Sequence, residues 1–151
     1  RYGFPGSVMY QPSSGSLGAM VFDLGGCNTR VGFAGEETPR IYCPSAVATF
    51  VDHQGKQQTV VEMDSAGWSH PEMQVRKFVH LRHEEDESAM RNLLEYGFSR
   101  LQAESSEHPI LMTEPASASA AARRRSAELL FEDFSVPALC VARAPELAAI
   151  T

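Results

Sequence analysis

The chain has 151 residues, 43% of them hydrophobic, which is ample for a buried core and by length amounts to one domain. Thirteen lysines and arginines stand against 19 aspartates and glutamates, a net charge of −6 that argues against direct, phosphate-driven nucleic-acid binding. No secretory leader or run of 18 apolar residues is read in it, so neither export nor membrane insertion is expected. Residues 1–16 are rich in Gly, Pro and Ser and read as an extended or disordered arm. Leu17–Asp23, Arg30–Ala34 and Arg40–Cys43 then read as three consecutive strands. From Phe50 to Leu81 the chain is polar and irregular, with Val60–Met63 and Phe78–Leu81 as short strand candidates. In Glu84–Gln102, Met90, Leu93, Leu94, Phe98 and Leu101 recur at helical spacing, and Glu84, Glu85 and Asp86 suit the positive end of the helix dipole. Pro109–Met112 reads as a strand and Ala118–Phe134 as a helix, with Ala127, Leu130, Phe131 and Phe134 on one side and Arg123–Arg125 largely on the other. Val136–Ala142 follows as a strand, and Pro145–Ile150 begins a third helix.

The most informative stretch is Met20 to Gly35. Two β-forming runs flank a D-x-G-G turn, Asp23-Leu24-Gly25-Gly26, which reads as a hairpin with an acidic residue at its mouth. Glycine lets backbone N–H groups converge on an oxygen-rich ligand with no Cβ in the way. A carboxylate repels phosphate directly but can hold a hydrated Mg²⁺ that contacts it. An ordinary Gly-Gly turn is the competing reading of these residues taken alone. Elsewhere the signals are plainer. Cys27, Cys43 and Cys140 sit in apolar, strand-like runs and read as buried small hydrophobes in a reducing compartment. His80 and His83 lack the further ligands of a tetrahedral metal set, and Ser14, Ser45 and Ser65 lack a nucleophile-elbow context. Trp68 is expected to be buried, and Arg123–Arg125 to form a solvated helix face.

Asp23 to Gly35, continued through Glu36-Glu37-Thr38-Pro39-Arg40 to Pro44-Ser45, resembles the first phosphate hairpin and following strand of the actin family. The family pattern there is D-x-G-S-G, a basic residue, G-F-A-G-[DE]-[DE]-x-P-R, then P-S-x-V. His108-Pro109-Ile110-Leu111-Met112-Thr113-Glu114 through Phe131-Glu132-Asp133-Phe134-Ser135-Val136-Pro137-Ala138 resembles the family's H-P-x-L-x-T-E…M-F-E-x-F-x-x-P-A block. The two blocks align without gaps over roughly half the chain. The resemblance implies an α/β fold: the ribonuclease-H-like half of an actin-like ATPase, a mixed sheet with flanking helices and a small divergent second subdomain. The implied organisation is an arm over 1–16, the first part of subdomain 1 over 17–49, a subdomain-2-like insertion over 50–81, and the rest of subdomain 1 over 82–151. A second lobe is not represented, so the chain is expected to be a fragment or the ordered part of a longer protein.

By the same resemblance ATP would bind through Asp23, Gly25, Gly26, Cys27, Asn28 and Arg30, with Asp23 holding Mg²⁺ through water. Three departures bear on that. Gly26 stands for a serine that contacts the terminal phosphate, Cys27 for a glycine, and Arg30 for a lysine, which turns a point charge into a fork. Ala144 falls where the family carries the glutamine that positions the attacking water, so no catalytic residue is expected and hydrolysis should be lost. Val60–Ser65 and His70–Val75 faintly resemble a segment of the nuclear actin-related protein of chromatin-remodelling and histone-acetyltransferase complexes, and Val21–Gly25 with Arg30 suits that subfamily. The expectation is therefore a nuclear, non-catalytic structural subunit. It would pair with actin or another actin-like subunit on a helical scaffold segment, without membrane or direct sequence-specific nucleic-acid binding. The alternatives are a divergent cytoskeletal actin-type ATPase that forms filaments, and an assembly protein that binds no nucleotide.

Overall fold

The computed structural model describes residues 18–61, 72–78 and 84–145. In chain order the elements are β1 (Met20–Leu24), β2 (Asn28–Phe33), β3 (Ile41–Pro44), β4 (Ala46–Val51), β5 (Gln57–Val60), β6 (Gln74–Lys77), α1 (Glu84–Leu101), β7 (Ile110–Glu114), α2 (Ala120–Glu128) and β8 (Leu139–Arg143). Five strands form the main sheet in the order β3-β2-β1-β7-β8, and a second sheet has the order β5-β4-β6. β1, β2 and β3 pair antiparallel as consecutive hairpin neighbours, whereas β1, β7 and β8 run parallel, as strands joined through helices do. This is the mixed actin-like arrangement that the resemblance implies.

Alternation along β1 sends Met20, Phe22 and Leu24 into the core, where they meet Val31, Ile41, Cys43, Ile110 and Met112 from neighbouring strands. α1 covers that face with Ala89, Met90, Leu93, Leu94 and Phe98, the stripe its helical spacing predicts. The Phe22 and Phe98 rings meet at 5.1 Å between centroids. Gly97 makes the approach possible, because a Cβ there would lie 2.5 Å from Phe22 Cε1. The Ser119 hydroxyl caps α2 by accepting from Ala122 N–H at 3.1 Å. Ala122, Ser126, Leu129 and Leu130 form the buried stripe of α2 and its extension.

Register places a second set of side chains on the opposite face of the main sheet. Val21, Leu111 and Cys140 form one cross-strand row, and Arg30, Asp23, Thr113 and Ala142 the next.

Several expectations need correction. The predicted helix over 118–134 is α helix only to Glu128, and Leu129–Asp133 is a π turn. The wider turn rotates the residues beyond it, so Leu129 is buried while Phe131 is 46% exposed. Strand β8 starts at Leu139 rather than Val136, because Pro137 has no N–H and Val136 N–H bonds back to Leu130 at 3.2 Å. β4 falls in the stretch read as subdomain 1 followed by an irregular insertion, and the second sheet begins at Ala46. β6 occupies Gln74–Lys77, ahead of the Phe78–Leu81 candidate, of which only Phe78 is described, outside a strand. Cys43 is buried as expected, but Cys27 and Cys140 are exposed, one at a turn tip and one on the sheet face opposite the core cluster. Of the third helix only Ala144 and Pro145 are described, both helical. The arm over 1–16, Glu62 and Met63 of the first strand candidate, Trp68, His80, His83, Ser14 and Ser65 lie outside the described residues.

Ser45 is the single residue between β3 and β4, where the chain leaves one sheet for the other. Its N–H donates to Cys27 C=O at 2.9 Å and its C=O accepts from Phe78 N–H at 2.9 Å. Its hydroxyl lies 2.8 Å from that of Thr29, and both side chains are buried. Every polar group of this residue is engaged, as burial at such a junction demands.

Candidate functional site at the carboxyl ends of the parallel strands

The parallel strands β1, β7 and β8 end at the same edge of the sheet, beside the point where the strand order reverses. In open α/β sheets, ligands bind in the crevice outside such ends. A cleft of about 610 Å³ opens there, lined by Asp23, Gly25, Gly26, Thr113, Glu114 and Ala144, with Arg125 and Phe78 on its walls.

Its floor is the β1–β2 turn. The Gly25 N–H donates to Asn28 C=O at 3.1 Å and closes the turn. A Cβ on Gly25 would lie 2.7 Å from that carbonyl oxygen, so the tight turn requires glycine. A Cβ on Gly26 would meet nothing within 4 Å, which leaves open space where its hydrogen faces outward.

Asp23 is held on both carboxylate oxygens. Thr113 Oγ1 donates to Oδ1 at 2.6 Å, and Arg30 Nη1 donates to Oδ2 at 2.9 Å. The ion pair follows directly from register, since Asp23 and Arg30 are cross-strand partners. Arg30 is itself the partner of Tyr42 on β3, and its guanidinium lies over that ring at 5.4 Å. Arg30 therefore approaches the site through Asp23 and does not line the cleft.

Glu114, only 2% exposed, ends β7 inside the cleft. Arg123 of α2 binds it through two nitrogens, with Nε at 3.0 Å, and Arg143 Nε stands 3.9 Å away. A buried carboxylate needs such partners. The arginine run is thus divided: Arg123 holds Glu114, Arg124 pairs with Glu128 in solvent, and Arg125 faces the cleft. Two carboxylates away from the cleft have clearly shifted ionisation. A hydrogen bond from Arg40 holds Glu36 low, and one from Gln58, with backbone N–H groups, holds Asp52 low.

Of the six residues named for nucleotide binding, Asp23, Gly25 and Gly26 line the cleft together. Cys27 sits exposed at the turn tip and Asn28 contributes its carbonyl to turn closure. Thr113 and Glu114 were not singled out from sequence, although both belong to the quoted T-E block. Their signal is positional, because a polar pair ending an apolar strand marks the rim of a cleft. The residues suit a phosphate group, given a glycine turn with free space and an open cleft. Each Asp23 oxygen holds one protein donor, which leaves each a further lone pair that could accept from the water shell of a hydrated divalent cation. Among the described residues, no cluster of three or more His, Cys, Asp or Glu could hold a metal ion. No described helix is long and apolar enough to cross a membrane.

Comparison with known proteins agrees with this geometry. A family model described as Actin matches residues 14–150. The chain is 30% identical over 133 residues to actin-related protein 4 of Yarrowia lipolytica, covering 81% of this chain and 31% of that protein. It is 32% identical over 136 residues to actin-like protein 9 of Mus musculus, covering 83% of this chain and 31% of that protein. The chain thus spans about a third of the length of these curated relatives.

Proposed function

The chain belongs to the actin family, and on that premise we propose that it is part of a nuclear actin-related protein that binds ATP without hydrolysing it. It serves as a structural subunit of a chromatin-remodelling or histone-acetyltransferase complex, paired with actin or another actin-like chain on a scaffold helix. One observation carries the non-catalytic part of this reading. Ala144, at the cleft beyond the end of β8, offers only a methyl group where the resemblance expects an amide. A methyl group neither accepts nor donates a hydrogen bond, so it cannot orient a water for attack. Phosphoryl transfer depends largely on such positioning and on electrostatics, and losing one preorganised group costs about 3–4 kcal/mol of barrier.

Nucleotide bound in this way stabilises the folded form by mass action. The nuclear assignment is supported by the residues quoted for that subfamily, Val21–Gly25 with Arg30, and is compatible with the similarity to actin-related protein 4. The test uses the full-length protein loaded with radiolabelled ATP. Recovery of intact ATP from the folded protein supports the reading. Release of phosphate at actin-like rates favours the filament-forming ATPase, and absence of bound nucleotide favours a purely assembling role.

A further inference from the structure

The cleft at the carboxyl ends of β1, β7 and β8 has two unlike walls. The strand side carries Asp23 and Glu114, and each is engaged by an arginine outside the lining, Arg30 at 2.9 Å from Asp23 Oδ2 and Arg123 Nε at 3.0 Å from Glu114. Tyr42 draws Arg30 toward β3, with the guanidinium over its ring at 5.4 Å. The α2 side is built from small residues. Ser119, Ala122 and Arg125 fall three apart, so they share one face of the helix, and all three line the cleft together with Ser117 and Ala118. The Ser119 hydroxyl is already engaged as the cap of α2. Of these five side chains only Arg125 is longer than a serine, and among the described residues it is the one cation that lines the cleft. A triphosphate brings further negative charge to a cleft that already holds two carboxylates, and like charges so placed repel unless a cation stands among them. A guanidinium suits that task, because its planar fork carries five N–H donors that match phosphate oxygens and its charge does not titrate away.

We propose that Arg125 is the side chain with which this cleft takes the phosphate chain of its nucleotide. The inference rests on the nucleotide-binding reading above and names a binding residue of the same site, on α2 and not on the hairpin. Arg30, at the basic position of the hairpin, keeps Asp23 in place instead.

The experiment titrates full-length wild-type and R125Q proteins with mant-ATP and with mant-adenosine, which carries the same fluorophore and base without phosphates. R125Q should bind mant-ATP at least about tenfold more weakly than the wild type does, and mant-adenosine within about twofold of it. R125M, which keeps the apolar stem, takes its place in the same comparison if R125Q lacks native circular dichroism. A loss of less than about tenfold on mant-ATP overturns the proposal while leaving nucleotide binding intact, since another group then meets the phosphates. Equal losses on both ligands also overturn it, because Arg125 then shapes the cleft and does not read phosphate. No binding of mant-ATP to the wild type overturns the nucleotide-binding reading itself, and this inference with it.

Discussion

Gly97→Ala sets two effects of similar size against each other. In an ordinary helix interior the change stabilises by about 1 kcal/mol, because alanine restricts the unfolded chain and favours helix. Here the new methyl would lie 2.5 Å from Phe22 Cε1, 3.0 Å from its Cζ and 3.5 Å from Val31 Cγ1. The ring is fully buried and packed against Phe98, so it cannot move outward without displacing the core. Overpacking of this kind costs about 1–3 kcal/mol, and the shortest contact places the cost toward the upper end. The net expectation is a loss of about 1–2 kcal/mol, read as a lower urea midpoint at unchanged slope. Phe22→Leu removes the clashing ring edge, so the double variant should lose at least about 0.5 kcal/mol less than the sum of the singles. A Gly97→Ala protein as stable as the wild type, or more so, refutes the close-packing argument.

Four further outcomes follow from the described contacts. Arg123→Ala strips the principal partner from buried Glu114 and should cost about 2–3 kcal/mol in urea unfolding, whereas Arg124→Ala, on a solvated pair, should stay within about 0.5 kcal/mol. Asp52 accepts from the N–H groups of Gln54 and Lys56 and from the Gln58 amide, which hold its pKa below the ordinary value near 3.8. Its stabilising contribution is therefore present above that value and disappears as pH falls through the lower folded value, so Asp52→Ala should destabilise at neutral pH but converge with wild type in strong acid. Ellman's reagent should modify Cys27 and Cys140 in the native protein and reach Cys43 only after unfolding. Ala144→Gln should leave ATP turnover at background, because Gly26 still lacks the hydroxyl of the family's turn; phosphate release well above background would show that the turn is competent unaided.

The β1–β2 hairpin, α1 and the strand–helix alternation were legible because one-sided burial imprints a period on the sequence. β4 was not, since its residues are buried on both faces from Ala46 to Ala48 and show no alternation. β6 is exposed at all four positions, and only pairing with β4 makes it a strand. Phe131 was placed inward by a helical period that the π turn interrupts. The site divides in the same way. The Asp-Gly-Gly turn is a local pattern and could be read directly. The pairing of Asp23 with Arg30 depends on register, and that with Thr113 joins residues 90 positions apart, which no spacing rule reveals. Cys140 could be assigned to a strand, but which face of the sheet the described helices cover is a property of topology.

Ser45 gives the two sheets no slack. A connector one residue long, gripped at its amide, carbonyl and hydroxyl, cannot swivel without breaking bonds to Cys27, Phe78 and Thr29 together. The small sheet is thereby tied to the glycine turn, since a tilt between the two sheets would have to stretch or break the bond from Ser45 to the Cys27 carbonyl.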